Sequence, residues 1–194
     1  MRLGTVPDCT HGSDKGGNMR NIEIRQLDYS KFEGQKYEAK ITTDRYLAIE
    51  PRDDGYLVQW KELPEPMTHT LSDEMLSDWL DDPVAYGAFD GDELLGFVEG
   101  FLEKWNNRYR IANICVFDSE ARRSGIGTKL IEIMISEAAK SKARMVVLET
   151  QSYNFKAISF YKKNGFEIIG FDRYAYSNHD PEDHNLRIEM GRMI

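Results

Sequence analysis

Cysteine is scarce: only Cys9 and Cys115 occur in 194 residues. One lies in a polar stretch and the other in an apolar run, so no disulfide framework is expected, and a reducing cytoplasm is the expected compartment. No apolar run approaches the roughly 20 residues that cross a bilayer, which argues against a membrane partner. The opening "MRLGTVPDCTHGSDKGGN" lacks the apolar centre of a secretion signal. His69, His179 and His184 show no metal-ligand spacing, and no metal site is expected. An excess of basic residues is missing too. The net charge is −8, which speaks against nucleic acid as a partner, because phosphate binding needs a basic face.

What is present is an ordinary globular composition, 41% hydrophobic and 30% charged. The charges are unevenly placed. Residues 62–103 hold twelve Asp or Glu and no Lys or Arg, whereas residues 104–173 hold thirteen Lys or Arg and seven acids. Most such charges are simply solvated, but an uninterrupted acidic block of this length beside a net basic half fits a protein handling one anionic and one cationic molecule.

Residues 1–18 have no periodicity and read as a disordered extension; 19–194 read as a single domain. "MRNIEIRQL" alternates as a first strand, residues 30–50 are ambiguous, and "GYLVQWKEL" is strand-like. "TLSDEMLSDWLDD" carries Thr70 and Asp73 at capping-box spacing, with Met75, Leu76, Trp79 and Leu80 at helical spacing, and predicts a helix over 70–82. Asp90-Gly91-Asp92 between two apolar runs predicts a hairpin, and "NNR" a second turn. A helix over 125–141, a strand over 144–150, a helix over 155–164 ended by Asn164-Gly165, and two last strands complete the pass. Hairpins first and β-α-β-α-β later indicate an α+β fold with a mixed, mostly antiparallel sheet.

The stretch "ARRSGIGTKL" joins a strand to a helix. Such a junction presents unpaired amides and the positive end of a helix dipole to an anion. Gly125 and Gly127 let a ligand approach the backbone, and Arg122 and Arg123 add positive charge. Neither the Walker spacing nor the third Rossmann glycine is present, since position 130 is Leu. A bland glycine turn remains an alternative on this stretch alone.

The pattern R-x-x-G-x-G from Arg122 to Gly127 resembles the coenzyme A pyrophosphate loop of the GCN5-related N-acetyltransferases. "VVLETQSYNFKAISFYKKNGFEIIG" resembles that family's following strand, helix and strand, with Asn154, Ala157, Phe160, Tyr161, Gly165 and Phe166 at the signature positions. The resemblance covers roughly 21–194. It implies a splayed parallel strand pair, here about 110–116 and 144–150, with acetyl-CoA as acetyl donor inserted between them and flanking helices. It further implies that the Val116 backbone binds the acetyl carbonyl and pantetheine, that Arg122, Arg123, Ser124, Gly125, Ile126, Gly127 and Thr128 hold the pyrophosphate, that Asn154 contacts pantetheine, and that Tyr161 lies near the thioester sulfur.

Acetyl transfer to an amine needs a general acid for the leaving thiolate, a role that suits the Tyr161 phenol, and a base for the amine proton. Many relatives carry an acid or His on the strand before the loop. Here Ile111, Asn113 and Cys115 stand there instead, which leaves Glu149, Glu99 and Glu103 as candidates, acting directly or through water. Glu99 and Glu103, four residues apart on one strand, are expected to share a face. Cys115 reads as a small buried apolar residue. "GFLEKWNNRYRIANICV" with "GFDRYAYSN" looks like the streptothricin acetyltransferases, which acetylate the β-lysine moiety of a cationic antibiotic. An acidic, aromatic acceptor pocket from Glu99, Glu103, Trp105, Tyr174 and Tyr176 would suit such a cation. A polyamine, another drug, a protein lysine or N-terminus, or a non-catalytic CoA-binding module are the alternatives. A homodimer is compatible with the same resemblance.

Overall fold

A computed structural model describes residues 21–117 and 124–194, so the expected extension 1–18, and Arg122 and Arg123, lie outside the described residues. The chain order is β1 (Ile22–Gln26), a short α1 (Tyr29–Phe32), β2 (Lys36–Arg52), β3 (Gly55–Glu74), β4 (Val84–Asp90), β5 (Glu93–Glu103), β6 (Arg108–Val116), α2 (Ile126–Lys140), β7 (Met145–Gln151), α3 (Phe155–Lys163), β8 (Glu167–Asp172) and β9 (Arg187–Met193). Seven strands form one mixed sheet in the order β1-β4-β5-β6-β7-β9-β8, while β2 and β3 pair only with each other.

The sheet is covered on both faces, which explains why the middle of β5 is buried almost without alternation. One core holds Leu95, Val98, Tyr109, Val146 and Leu148 against α2 and α3. On α2, Ile126, Leu130, Ile131, Met134 and Ala138 form the buried stripe that helical periodicity requires. Each large side chain there stabilises the fold by about 1.5–3 kcal/mol. A second core holds Leu27, Met75, Leu76, Ala85, Phe89, Phe97 and Cys115.

The 90–92 hairpin turn, α2, α3 and its left-handed Gly165 (φ 82°) stand where the sequence places them. The helix expected over 70–82 does not. Residues 70–74 are the end of β3, with Thr70 opposite Lys40 and Asp73 opposite Tyr37. Residues 75–82 are turns, with Leu76 and Asp82 both at φ 54°. A long partner strand outcompeted the local helical pattern: β2, unassigned from sequence, pairs with β3 from Lys36 to Arg52. The helical spacing of Met75, Leu76 and Leu80 instead buries three side chains of a turn.

Candidate active site

The parallel strands β6 and β7 are in register only at Arg108↔Met145, Tyr109↔Val146 and Arg110↔Val147. Beyond that, β6 continues along β5 as far as Val116↔Gly96, and β7 along β9 as far as Gln151↔Arg187. The two strands therefore part over 111–116 and 148–151. A register shift opposite Glu99 and Gly100, where Ala112 is the extra residue, lies where they diverge.

At the open end, α2 begins at Ile126 with Gly125 as its N-cap. Gly125 is left-handed (φ 81°), supplies no side-chain cap, and is followed by no acid in the first turn. Among the described residues no side chain caps the first amides of α2, which suit an anion. The two glycines serve different ends. A Cβ on Gly125 would meet nothing within 4 Å among the described residues, so its conformation is what demands glycine. A Cβ on Gly127 would lie 3.0 Å from the Phe160 ring, so its absence lets α3 pack on α2 rather than making room for a ligand.

Asn154 caps α3, accepting from the Ala157 amide at 3.2 Å, which leaves its own NH2 to donate. Tyr161 on α3 is 7% exposed. Burial, with the Cys115 thiol close by, pushes its phenol well above its ordinary value. At neutral pH the hydroxyl therefore keeps its proton.

Glu99 is fully buried. Its Oε2 accepts from the Leu76 amide at 2.8 Å and its Oε1 from the Asn113 side-chain amide at 2.7 Å. Burial raises its carboxyl above the usual range, against those two hydrogen bonds. Tyr37 stands beside it: its ring packs edge-on against Phe97 at 5.0 Å. Burial, then the charges of Asp73, Cys115, Glu99 and Tyr161, push its phenol far up. Asp73 of β3, Glu99 of β5, Cys115 of β6 and Tyr161 of α3 thus all act on the Tyr37 phenol of β2, and Asn113 of β6 is bonded to Glu99. Sequence reasoning missed Tyr37 and Asp73; no local motif marks them, because only the β2–β3 pairing brings both to this place.

The other expected residues are not gathered here. Glu103 shares the Glu99 face of β5, as expected, but its carboxylate is held by Arg108 at 3.0 Å, Arg110 and Asn106. Burial works to raise the Glu103 carboxyl, but the Arg110 and Asn106 hydrogen bonds outweigh it and hold it low. Arg110 also donates to Glu189 at 3.0 Å. Glu149 is exposed opposite Glu189 and accepts from the Tyr176 hydroxyl at 3.4 Å. Tyr174 is exposed beside Arg173, in the segment joining β8 and β9. Trp105 is 85% exposed in the β5–β6 turn, at the closed end of the split. Val116 ends β6 at the open end, and Ser124 and Thr128 flank the Gly125 junction.

The family model described as "Acetyltransferase (GNAT) family" matches residues 44–166, well over half of the chain. The chain belongs to the GNAT acetyltransferases. It is 31% identical to the streptothricin acetyltransferase of Escherichia coli over 124 residues, 64% of this chain and 68% of that protein. It is 26% identical to human N-alpha-acetyltransferase 30 over 161 residues, 82% of this chain and 40% of that protein. In fold, this acetyltransferase superposes on nourseothricin acetyltransferase with a TM-score of 0.72 at 23% identity, over 89% of this chain and 98% of that one. It superposes on a proposed streptothricin acetyltransferase of Bacillus anthracis str. Ames, solved with acetyl coenzyme A, with a TM-score of 0.69 at 21% identity, over 91% and 99% of the two chains. The splayed strands and the α2 terminus of this GNAT chain thus stand in a fold that the Bacillus anthracis protein shares and in which that protein holds acetyl coenzyme A.

Proposed function

We propose that this N-acetyltransferase acetylates a primary amine of a cationic small molecule, and that the β-lysine moiety of streptothricin is its acceptor. The observation that carries the reading is the buried Glu99 carboxyl, raised by burial and held by Leu76 and Asn113, on the same converging cluster as the protonated Tyr161 phenol. A carboxyl able to take a proton and a phenol able to give one are what acyl transfer to an amine requires. The similarity to the Escherichia coli streptothricin acetyltransferase supports the choice of acceptor.

The amides of residues 124–128 and the side chains of Arg122 and Arg123 would hold the pyrophosphate; the Val116 backbone and the Asn154 NH2 would hold the pantetheine. Acetyl-CoA supplies the activated acetyl group. Glu99 takes a proton from the acceptor's ammonium through water, since Leu76 and Asn113 already occupy one position on each of its oxygens, and leaves the neutral amine to attack the thioester carbonyl. The new N–C bond forms as the C–S bond breaks, Tyr161 gives its proton to the departing sulfur, and the proton then shed by the acylated nitrogen restores the phenol. Tyr37 and Asp73 line the acceptor side and orient the amine. Glu149, Tyr174 and Tyr176 are assigned to the acceptor's approach, whereas Glu103, ion-paired with Arg108 and Arg110, and Trp105, at the closed end of the split, are left out of it.

The test is acetyl-CoA turnover with a panel of amines: streptothricin, spermidine, an aminoglycoside, and peptides with a free lysine or N-terminus. Streptothricin should give the highest kcat/KM. A higher value for a peptide would replace this acceptor with a protein one, and thiol release with none of them would leave a CoA-binding module.

A further inference from the structure

A cleft of about 720 Å³ opens between the middle of β3 and the segment joining β8 and β9, away from Glu99. Glu65, His69, Glu182, Asp183, His184 and Asn185 are among its walls, and no Lys or Arg lines it. The three carboxylates are exposed, and none has an ion-pair partner among the described residues. Both imidazoles are stacked on tyrosines, His69 on Tyr153 at 3.9 Å and His184 on Tyr46 at 3.7 Å, so the walls are fixed by aromatic packing. Burial lowers both imidazoles, so neither supplies a positive charge at neutral pH. Nε2 of His69 and Oδ1 of Asn185 are buried without a hydrogen-bond partner among the described residues. Buried polar atoms are normally satisfied, and an amide oxygen can only accept. The cleft therefore offers negative charge to a donor-rich cation, with two unpartnered polar atoms just beneath its surface. No three His, Cys, Asp or Glu among the described residues are grouped to hold a metal ion, which points to an organic cation.

Its position relates it to the transfer site. His69 and Asp73 lie on the same strand four residues apart, a separation of about 13 Å. Asp73 is at the Tyr37–Glu99 cluster, and His69 opens into the cleft. We propose that the cleft binds a second cationic group, an ammonium or guanidinium, of an oligocationic acceptor whose first amine lies at Glu99. The inference rests on the acceptor reading above and adds a reach requirement: the acceptor carries two cationic groups separated by about 13 Å or more. A monoamine then occupies only the reacting end.

The experiment uses the full chain with CoA bound and follows the histidine ring resonances by NMR during titration with spermine, streptothricin and butylamine. Spermine and streptothricin should shift the His69 and His184 signals saturably, and butylamine should not. The triple variant Glu65→Gln, Glu182→Gln, Asp183→Asn, all surface changes, should weaken the apparent affinity by about tenfold. His69→Phe keeps the stack on Tyr153 and should weaken it too. Ring signals unmoved by either oligocation, or an affinity unchanged in the triple variant, would overturn the cleft. Acetylation is measured on the same samples. Shifts without acetyl transfer would leave the cleft standing and remove the acceptor reading, whereas transfer without shifts would do the reverse.

Discussion

The Asn113 side-chain amide donates to Glu99 Oε1 at 2.7 Å across the β5–β6 ladder, where the two residues are directly paired. The strand before the coenzyme loop thus lacks an acid of its own but orients one on its neighbour. The same carboxyl is fixed from the other side by the Leu76 amide. A carboxyl buried and oriented in this way suits a base whose proton affinity must exceed that of an exposed acid.

Glu99→Gln is expected to lower kcat by about 10²–10⁴-fold, the range for one general base, with acetyl-CoA affinity unchanged. The Asn113 amide can turn to accept from the new side chain, so the fold should persist. Glu149→Gln run in parallel should have a far smaller effect; equal losses would move the base to β7. Steady-state kinetics with a fixed acceptor decides it.

The Glu99 substitution also has a pH signature. Its folded pKa is raised, so the folded state holds the proton to higher pH than the unfolded chain. The stability from this group is full below the unfolded value of about 4.3 and lost as pH rises through the folded pKa. Glu99→Gln cannot ionise. Its stability relative to the natural chain should therefore improve as pH rises, while the activity of the natural chain rises over the same interval. Urea unfolding of both proteins at a series of pH values measures the difference; a constant difference would mean that Glu99 is not perturbed.

Glu103 carries the opposite sign. With the hydrogen bonds from Arg110 and Asn106 outweighing its burial, its folded pKa is low, so its stabilisation is present above the unfolded value and lost as pH falls through the folded one. Glu103→Gln should destabilise the protein by about 2 kcal/mol at pH 7, as for one charge-assisted hydrogen bond. Loss of catalysis without loss of stability would return Glu103 to the reacting groups.

Tyr161→Phe removes one hydroxyl and keeps the ring. The rate should fall by about 10²-fold with little change in Tm. A variant with full rate and lowered Tm would leave the residue as core only.

The two glycines separate cleanly. Gly125→Ala forces a left-handed residue to carry a side chain, at about 1–2 kcal/mol, and should weaken acetyl-CoA binding with the helix packing intact. Gly127→Ala should lower Tm by pressing on Phe160, 3.0 Å away, and Gly127→Ala with Phe160→Leu should recover part of it. Calorimetry of acetyl-CoA binding together with melting curves distinguishes the two. If both changes spare CoA affinity, the loop is not its site.

Acceptor binding should weaken with salt, and more steeply for a triply charged amine than for a monoamine, because exposed charges are screened beyond about 8 Å at physiological ionic strength. A KM for streptothricin that stays flat from low to high salt would reduce the acidic block to a solvated surface.

Local order was legible where it is made locally. The α2 stripe, the Asn154 cap of α3, the left-handed Gly165 and the 90–92 turn depend on neighbours a few residues away. The failure at 70–82 has the same origin in reverse. Thr70 and Asp73 offered a capping box, but they stand opposite Lys40 and Tyr37 in the β2–β3 ladder, some thirty residues distant or more, and a strand ladder of that length outweighs a few tenths of a kcal/mol per residue of helix propensity.

From residues alone followed the GNAT likeness, the glycine junction at the start of α2, and the phenol at Tyr161, because each is written in consecutive positions whose spacing is the signal. Which carboxylate is buried and oriented beside the split was decided by tertiary structure. Glu99, Glu103 and Glu149 are equivalent as letters. Only the fold buries Glu99 between Leu76 and Asn113, neutralises Glu103 with Arg108 and Arg110, and leaves Glu149 in solvent. Proton affinity is set by the surrounding dielectric and by charges brought close from distant parts of the chain, so it belongs to the folded molecule and not to any stretch of its sequence.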